Sequence, residues 1–191
     1  MNTAAIILAA ILADNLLLAR LFGIESLFAS NNRKTHTLIY GAVVTGVTVV
    51  AGGICVIVNN LVFAPLGMEY MSTYISAIIT VSVICAMHIV SQKLSEKLFG
   101  GMTKIMPLIS TNCVVIGAVY FCTEKGLSVG ESFLYLLASG VGYTVALLIM
   151  SAVKERLDTA EPPAPFKGLP VTLLALAFAA MAFAGFTGVG M

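Results

Sequence analysis

The hydrophobic residues of this chain form six long runs, separated by short polar stretches. Each run has close to the ~20 residues that cross about 30 Å of hydrocarbon as a helix. Glycines and prolines mark the separators, as is typical of turns. The pattern predicts an all-α membrane protein with six transmembrane helices, at about 3 to 28, 37 to 62, 72 to 91, 105 to 122, 132 to 153 and 168 to 190.

Composition indicates the same environment. Only 10% of the residues are charged and 59% are hydrophobic, whereas a soluble domain has roughly a quarter charged residues. Because no Lys or Arg precedes Arg20, the first run lacks the basic region of a cleavable signal peptide, and we expect it to remain as the first span. The net charge of +1 argues against a nucleic-acid partner. The predicted surroundings are the lipid bilayer.

Basic residues predict the orientation of the spans. They concentrate in the loops after spans one, three and five, and only Lys125 lies in an even-numbered loop. By the positive-inside rule the odd loops are cytoplasmic and both termini lie on the outer side. With three spans per half, the two halves have opposite orientations. We therefore predict one integral membrane domain, residues 1–191, built from two inverted three-helix repeats at about 1–92 and 93–191.

Two polar stretches interrupt the apolar runs, one in each half: Asp14-Asn15 and Thr111-Asn112. Polar groups in hydrocarbon are costly and indicate function by default. In an inverted repeat such stretches enter the membrane from opposite sides and meet near its middle. We expect Asn15 and Asn112 to approach one another there.

The first apolar run also holds three charged residues: Asp14, Arg20 and Glu25. In one interpretation Arg20 and Glu25 lie near the cytoplasmic interface, and only Asp14 is deep, neutral or hydrogen-bonded to Asn112. In the other, the first helix is broken near Gly23, Asp14 or Glu25 handles protons or Na⁺, and Arg20 balances the charge. Both interpretations remain open at this point.

The cysteines do not form a chelating cluster by spacing, and the loops are too short for a self-contained active site. Cys113 differs from the others because it follows Ser110, Thr111 and Asn112. A thiolate there would be a metal ligand if another chain supplied the remaining ligands. The other three are predicted to act as small packing residues: Cys55, Cys85 and Cys122.

The segment Pro107–Gly117 resembles a known family signature, Pro-Leu-Ile-Thr-Thr-Asn-Cys-Ala-Val-Leu-Gly. This signature belongs to the A-type subunit of the Rnf ion-translocating electron-transport complex and to its counterpart, the E-type subunit of the sodium-pumping NADH:quinone oxidoreductase. The segments Pro163–Gly168 and Ala182–Phe186 resemble that family's last loop and its ending. The resemblance covers essentially the whole chain.

The resemblance implies a membrane subunit of a redox-driven ion-translocating oxidoreductase, or translocase, in a prokaryotic inner membrane. Such a subunit pairs with a paralogous six-helix subunit of opposite topology and works with flavin and ferredoxin-like redox subunits. Helices one and four are broken, and the two paralogues surround one 2Fe-2S cluster that relays electrons. Each chain gives two cysteines. Cys113 matches the second ligand, with Thr111 and Asn112 beside it in the motif.

The first ligand departs from the family pattern. The family's Leu-Gly-Leu-Cys-Pro corresponds to Phe22–Ser26, so Glu25 stands where a cysteine is expected. Carboxylates bind iron through oxygen, although thiolates are the usual cluster ligands. The resemblance therefore assigns Cys113 and Glu25 to a cofactor site in a divergent paralogue, with an altered or lost cluster.

Two other classes of function fit the same residues. The chain would also suit a secondary transporter with inverted repeats, in which the polar groups bind an ion or small solute at mid-membrane. A scaffold protein without a redox role is the third alternative. For the transporter the binding residues would be Asp14, Asn15, Asn112 and Glu25.

Overall fold

The computed structural model describes residues 3–29, 34–63, 65, 69–98, 112–160, 163 and 166–186. Every regular element in these ranges is helical, which confirms the all-α prediction for them. Two π-helical turns, Ala9–Ala13 and Asn59–Phe63, extend the first and third helices. The α-helices are α1 Thr3–Leu8, α2 Ile24–Ala29, α3 Lys34–Val58, α4 Glu69–Leu98, α5 Cys113–Glu124, α6 Val129–Thr159 and α7 Leu169–Ala184.

The first apolar run is not one continuous helix. The π-helical turn that extends α1 ends at Ala13, and helical structure resumes only at Ile24. In the gap, Leu21 and Gly23 have φ angles of +58° and +78°, which no helix accommodates. The break predicted near Gly23 is therefore confirmed, although it begins at Asp14, nine residues earlier.

The fourth apolar run contains α5, which begins at Cys113. Residues 101–111, including Thr111, lie outside the described residues. The expected first half of a broken fourth helix therefore stays a prediction.

Two helical stretches in the described residues are long and apolar enough to cross a membrane: His36–Phe63 and Val129–Thr159. They correspond to the second and fifth predicted spans. Shorter apolar helical stretches accompany them. The six-span count and the inverted repeat remain predictions. The shorter stretches are Thr73–Met87, Cys113–Glu124 and Leu169–Ala184.

The centre of the fold is the antiparallel pair α3 and α6. A Cβ atom added at Gly41 would lie 2.5 Å from Thr144 Cγ2, and one added at Gly140 would lie 2.5 Å from Thr45 Cγ2. The hydroxyls of Thr45 and Thr144 are 3.4 Å apart. Small residues allow two backbones this approach in a membrane. Each half of the chain thus contributes one glycine and one threonine to this contact, as an inverted repeat would produce.

The remaining helices surround this pair. α5 packs against α3 and α4, while α1 with its π-helical turn packs against α6. The broken segment is therefore held against the middle of α6. Helices α4 and α7 present large exposed apolar side chains, which suits lipid or protein contact: among them Tyr74, Ile78, Ile89, Leu169, Phe178 and Met181.

Candidate functional site

The candidate site lies where the start of α2 meets the start of α5. The backbone N–H of Gly23 donates a hydrogen bond to Cys113 Sγ at 3.1 Å. Both carboxylate oxygens of Glu25 are 3.9 Å from the same sulfur. The structure thus brings together Cys113 and Glu25, the two residues that the resemblance assigns to a cofactor.

Gly23 makes this approach feasible. Its φ angle of +78° lies in the left-handed region that side chains disfavour. A Cβ atom there would lie 2.5 Å from Val114 Cγ2 and 2.7 Å from the Tyr143 hydroxyl. Only glycine lets the turn before α2 pack against α5.

Asn112 caps the N-terminus of α5. Its Oδ1 accepts the N–H of Val114 at 2.9 Å, as helix-capping side chains do. Its Nδ2 donates to the hydroxyls of Tyr40, at 2.8 Å, and Tyr143, at 3.2 Å. Because Asn112 is only 1% exposed, these bonds satisfy an amide that lipid would leave unpaired.

Tyr143 connects this cap to the turn before α2. Its hydroxyl is 2.8 Å from Ser26 Oγ, and Ser26 donates to the Gly23 carbonyl at 2.6 Å. Sequence reasoning missed Tyr40, Tyr143 and Ser26. The available signal was a phenol hydroxyl inside each of the second and fifth apolar runs, which needs a partner in hydrocarbon.

Asn15 holds the other end of the broken segment. Its Nδ2 donates to the carbonyls of Ile11 and Gly142, both at 2.9 Å. Its Oδ1 accepts the N–H groups of Leu17 and Leu18. Asn15 is 2% exposed, so it faces protein, as does Asn112. Asn15 donates to Gly142 and Asn112 donates to Tyr143, which are consecutive residues of α6. The two amides therefore bond to neighbouring residues of α6 and not to each other.

Asp14 and Arg20 lie away from Cys113. Asp14 pairs with Lys125 at 2.5 Å and with Arg20 at 3.5 Å. Arg20 also covers the ring of Phe121, 4.5 Å from its centroid, and Phe121 is about 12 Å along α5 from Cys113. The hydrogen bond between Asp14 and Asn112 that the first interpretation allowed is not formed, since Asp14 bonds to Lys125 and Arg20. The pairing of Arg20 with Asp14 agrees with the second interpretation, in which Arg20 balances the charge.

The other cysteines have separate surroundings. Cys55 is buried with its Sγ 3.3 Å from Thr80 Oγ1, and Cys122 is buried next to the Ser132 carbonyl, as predicted for packing residues. Cys85 is exposed on α4, so the packing role predicted for it is wrong within this chain. Among the described residues no three His, Cys, Asp or Glu side chains are grouped to hold a metal ion. A metal at Cys113 therefore needs ligands from outside the described part of this chain.

These features define a class of protein: a helical membrane protein with a broken first helix and a paired thiol and carboxylate at helix starts. The chain belongs to the Rnf-Nqr family. The family described as "Rnf-Nqr subunit, membrane protein" matches residues 3–190. The resemblance to the A-type subunit of the Rnf complex, predicted from the span-four motif, is confirmed.

The relatives match over nearly their whole length. The chain is 32% identical to the A-type subunit of the ion-translocating oxidoreductase complex of Syntrophotalea carbinolica, covering 98% of this chain and 97% of the relative. It is 30% identical to the protein of the same name in Thioalkalivibrio sulfidiphilus, covering 97% and 96%. It is 27% identical to the A-type subunit of the Na(+)-translocating ferredoxin:NAD(+) oxidoreductase complex of Acetobacterium woodii, covering 96% and 95%.

Proposed function

We propose that this chain is a membrane subunit of a redox-driven ion-translocating complex. In this role it relays electrons across the membrane through an iron-sulfur site shared with a paralogous subunit. The observation that carries the proposal is the meeting of Cys113 and Glu25, 88 positions apart in sequence, within 3.9 Å. The names of the relatives support the complex to which such a subunit belongs.

The donor atoms fit half of a shared 2Fe-2S cluster. Cys113 supplies a thiolate, and the Gly23 N–H on its sulfur is the kind of hydrogen bond that tunes cluster potentials. Glu25 supplies a hard oxygen donor in place of a second thiolate. Both residues are partly exposed, so a partner chain has access to them. When bound, the cluster supplies one-electron transfer.

The surrounding residues hold these two donors in position. Asn112 fixes the start of α5, and therefore Cys113, through its bond to Val114. Tyr143 ties Asn112 to Ser26, next to Glu25. The two donors lie on separate helices, and this buried network holds them at a fixed distance from each other. A functional site requires this of its supporting residues.

The finer features of the proposal follow from the sequence. We place the chain in a prokaryotic inner membrane with both termini on the outer side. Its partners are a paralogous six-helix subunit of opposite topology and further flavin and ferredoxin-like redox subunits. The reciprocal α3–α6 contact supports two inverted repeats in this chain.

The test is co-purification of the chain with its complex, followed by analysis for iron and acid-labile sulfide and by electron paramagnetic resonance after reduction. We expect one cluster signal that Cys113→Ser abolishes or strongly shifts, because a ligand thiolate is lost. Cys85→Ser is the matched control, since Cys85 is also accessible, and it should leave the signal unchanged.

Variants at Glu25 test the carboxylate. Glu25→Cys should keep the cluster and shift its potential, whereas Glu25→Ala should weaken it. A signal indifferent to both changes would place that ligand elsewhere. A complex without iron that still translocates ions or solute after Cys113→Ser would contradict the electron relay and favour the secondary transporter.

A further inference from the structure

Lys154, near the end of α6, bonds to the short helix α2 that carries Glu25. Its Nζ donates a hydrogen bond to the carbonyl of Leu27 at 3.1 Å, across 127 positions of sequence. This carbonyl is one of the last four in α2, which have no N–H partner within a helix. A positive charge at the C-terminal end of a helix also interacts favourably with the helix dipole. Lys154 therefore caps the end of α2.

The helix α2 needs such contacts because it is too short to be stable alone. It has six residues, whereas isolated helices shorter than about 12 residues are marginal in water. No helix directly precedes it, since residues 14–23 form the break in the first apolar run. The orientation of α2, and with it the place of Glu25, is therefore decided by contacts with the helices around it.

Two side chains of α6 hold α2 from its two ends. The Tyr143 hydroxyl lies 2.8 Å from Ser26 Oγ, in the first turn of α2, and Lys154 bonds to the Leu27 carbonyl near the other end. Tyr143 and Lys154 are eleven positions apart, which is close to three helical turns. They therefore lie on one face of α6, about 16 Å apart along its axis. The helix α2 thus lies along that face, parallel to α6.

Glu25 precedes Ser26 in α2, and each of its carboxylate oxygens is 3.9 Å from Cys113 Sγ. Because Glu25 is on α2 and Cys113 begins α5, this separation depends on where α2 lies against α6. We propose that Lys154 is a positioning residue for the Cys113–Glu25 site: it fixes the end of α2 and thereby holds the carboxylate against the sulfur. The inference rests on the proposed function for the use of that site, but the geometry it concerns does not require a bound cluster.

The reactivity of Cys113 reports the position of Glu25. The thiolate is the form of cysteine that reacts with a maleimide, and a carboxylate that faces the sulfur repels this negative charge. Loss of the Lys154 bond should let Glu25 move away from the sulfur and so speed the reaction. The effect should vanish in a chain that lacks the Glu25 carboxylate.

The test uses the whole complex after anaerobic removal of iron by a chelator. Alkylation of Cys113 by N-ethylmaleimide is followed by mass spectrometry of the peptide that holds it. Lys154→Met keeps an apolar stem and removes the donor, so the rate should rise about threefold or more, as expected for residues coupled through shared contacts. Lys154→Arg keeps a donor and should stay close to the wild type. Arg156→Met is the matched control, because it removes the same charge from an exposed position of α6, and it should leave the rate unchanged.

A double-mutant cycle separates positioning from general support of the structure. In a Glu25→Ala background, Lys154→Met should change the rate by less than about 1.5-fold, because the carboxylate that Lys154 positions is gone. An equal acceleration in both backgrounds would mean that Lys154 only supports the fold near Cys113. No acceleration in either background would mean that the bond to Leu27 does not hold α2. Each of these two results would overturn the inference.

If the Lys154→Met complex does not assemble, Lys154→Gln gives the same comparison, since its shorter, uncharged side chain weakens the bond to Leu27. Failure of the proposed function is a separate result. A wild-type complex that contains no iron or acid-labile sulfide as purified removes the electron relay. Its Cys113 can still be alkylated, and the cycle still decides the role of Lys154.

Discussion

Gly23 and Cys113 are joined by a hydrogen bond from the backbone N–H of the first to Sγ of the second, at 3.1 Å. The bond connects the break in the first apolar run with the start of α5. It exists because Gly23 has φ +78° and lacks a Cβ. The bond orients the one sulfur that also faces Glu25.

Gly23→Ala should disrupt this contact. The new Cβ would meet Val114 and the Tyr143 hydroxyl below 3 Å, so we expect a loss of about 2–4 kcal/mol of stability from backbone strain plus overpacking. Circular dichroism during SDS titration measures it, since the chain has no Trp. Gly126→Ala is the control, with φ +57° but open space around it, and should lose only about 1–2 kcal/mol.

Gly142→Ala should destabilise the protein where the broken segment crosses α6. An added Cβ would lie 2.9 Å from Ile11 Cα and 3.1 Å from Ile11 O, both backbone atoms. We expect a loss of about 1–3 kcal/mol. Gly46→Ala in α3 has nothing within 4 Å and should gain up to about 1 kcal/mol from helix propensity. Equal effects of the two changes would contradict this packing.

Asn112→Ala should destabilise the protein by about 2 kcal/mol or more. It removes the cap of α5, worth about 1 kcal/mol, and leaves the hydroxyls of Tyr40 and Tyr143 without their shared amide. Asn60→Ala is the matched control, because Asn60 is exposed and its amide donates to Val56 O, four residues earlier in the same helix. Its loss should stay within about 0.5 kcal/mol. The same SDS titration compares them, and similar losses would argue against the network.

Single cysteines at Glu124 and Arg156, introduced into a variant lacking the four native cysteines, test the predicted topology. Both positions are exposed. A membrane-impermeant maleimide should label position 124 from the outer side and position 156 from the cytoplasmic side. Labelling of both from one side would overturn the predicted orientation.

Hydrophobic runs determined much of the fold from sequence alone. The second and fifth runs predicted helices of spanning length, found at His36–Phe63 and Val129–Thr159, because the polar backbone N–H and C=O groups of an apolar segment must be hydrogen-bonded within a helix in lipid. The motif around Cys113 was enough to identify the family. The replacement of the family's cysteine by Glu25 was visible in the same way, as a single residue that differs within a short motif.

Tertiary structure alone decided which polar groups meet. Nothing in the sequence indicated that Asp14 would pair with Lys125, 111 positions away, because ion pairing depends on where a loop returns after four apolar runs. Likewise the sequence predicts that Asn15 and Asn112 approach one another, whereas only the structure shows that Gly142 and Tyr143 of α6 accept their hydrogen bonds. The hydrophobic pattern and the composition of each segment specify which side chains it buries. The packing of α6 against the other helices specifies which partner satisfies each buried amide.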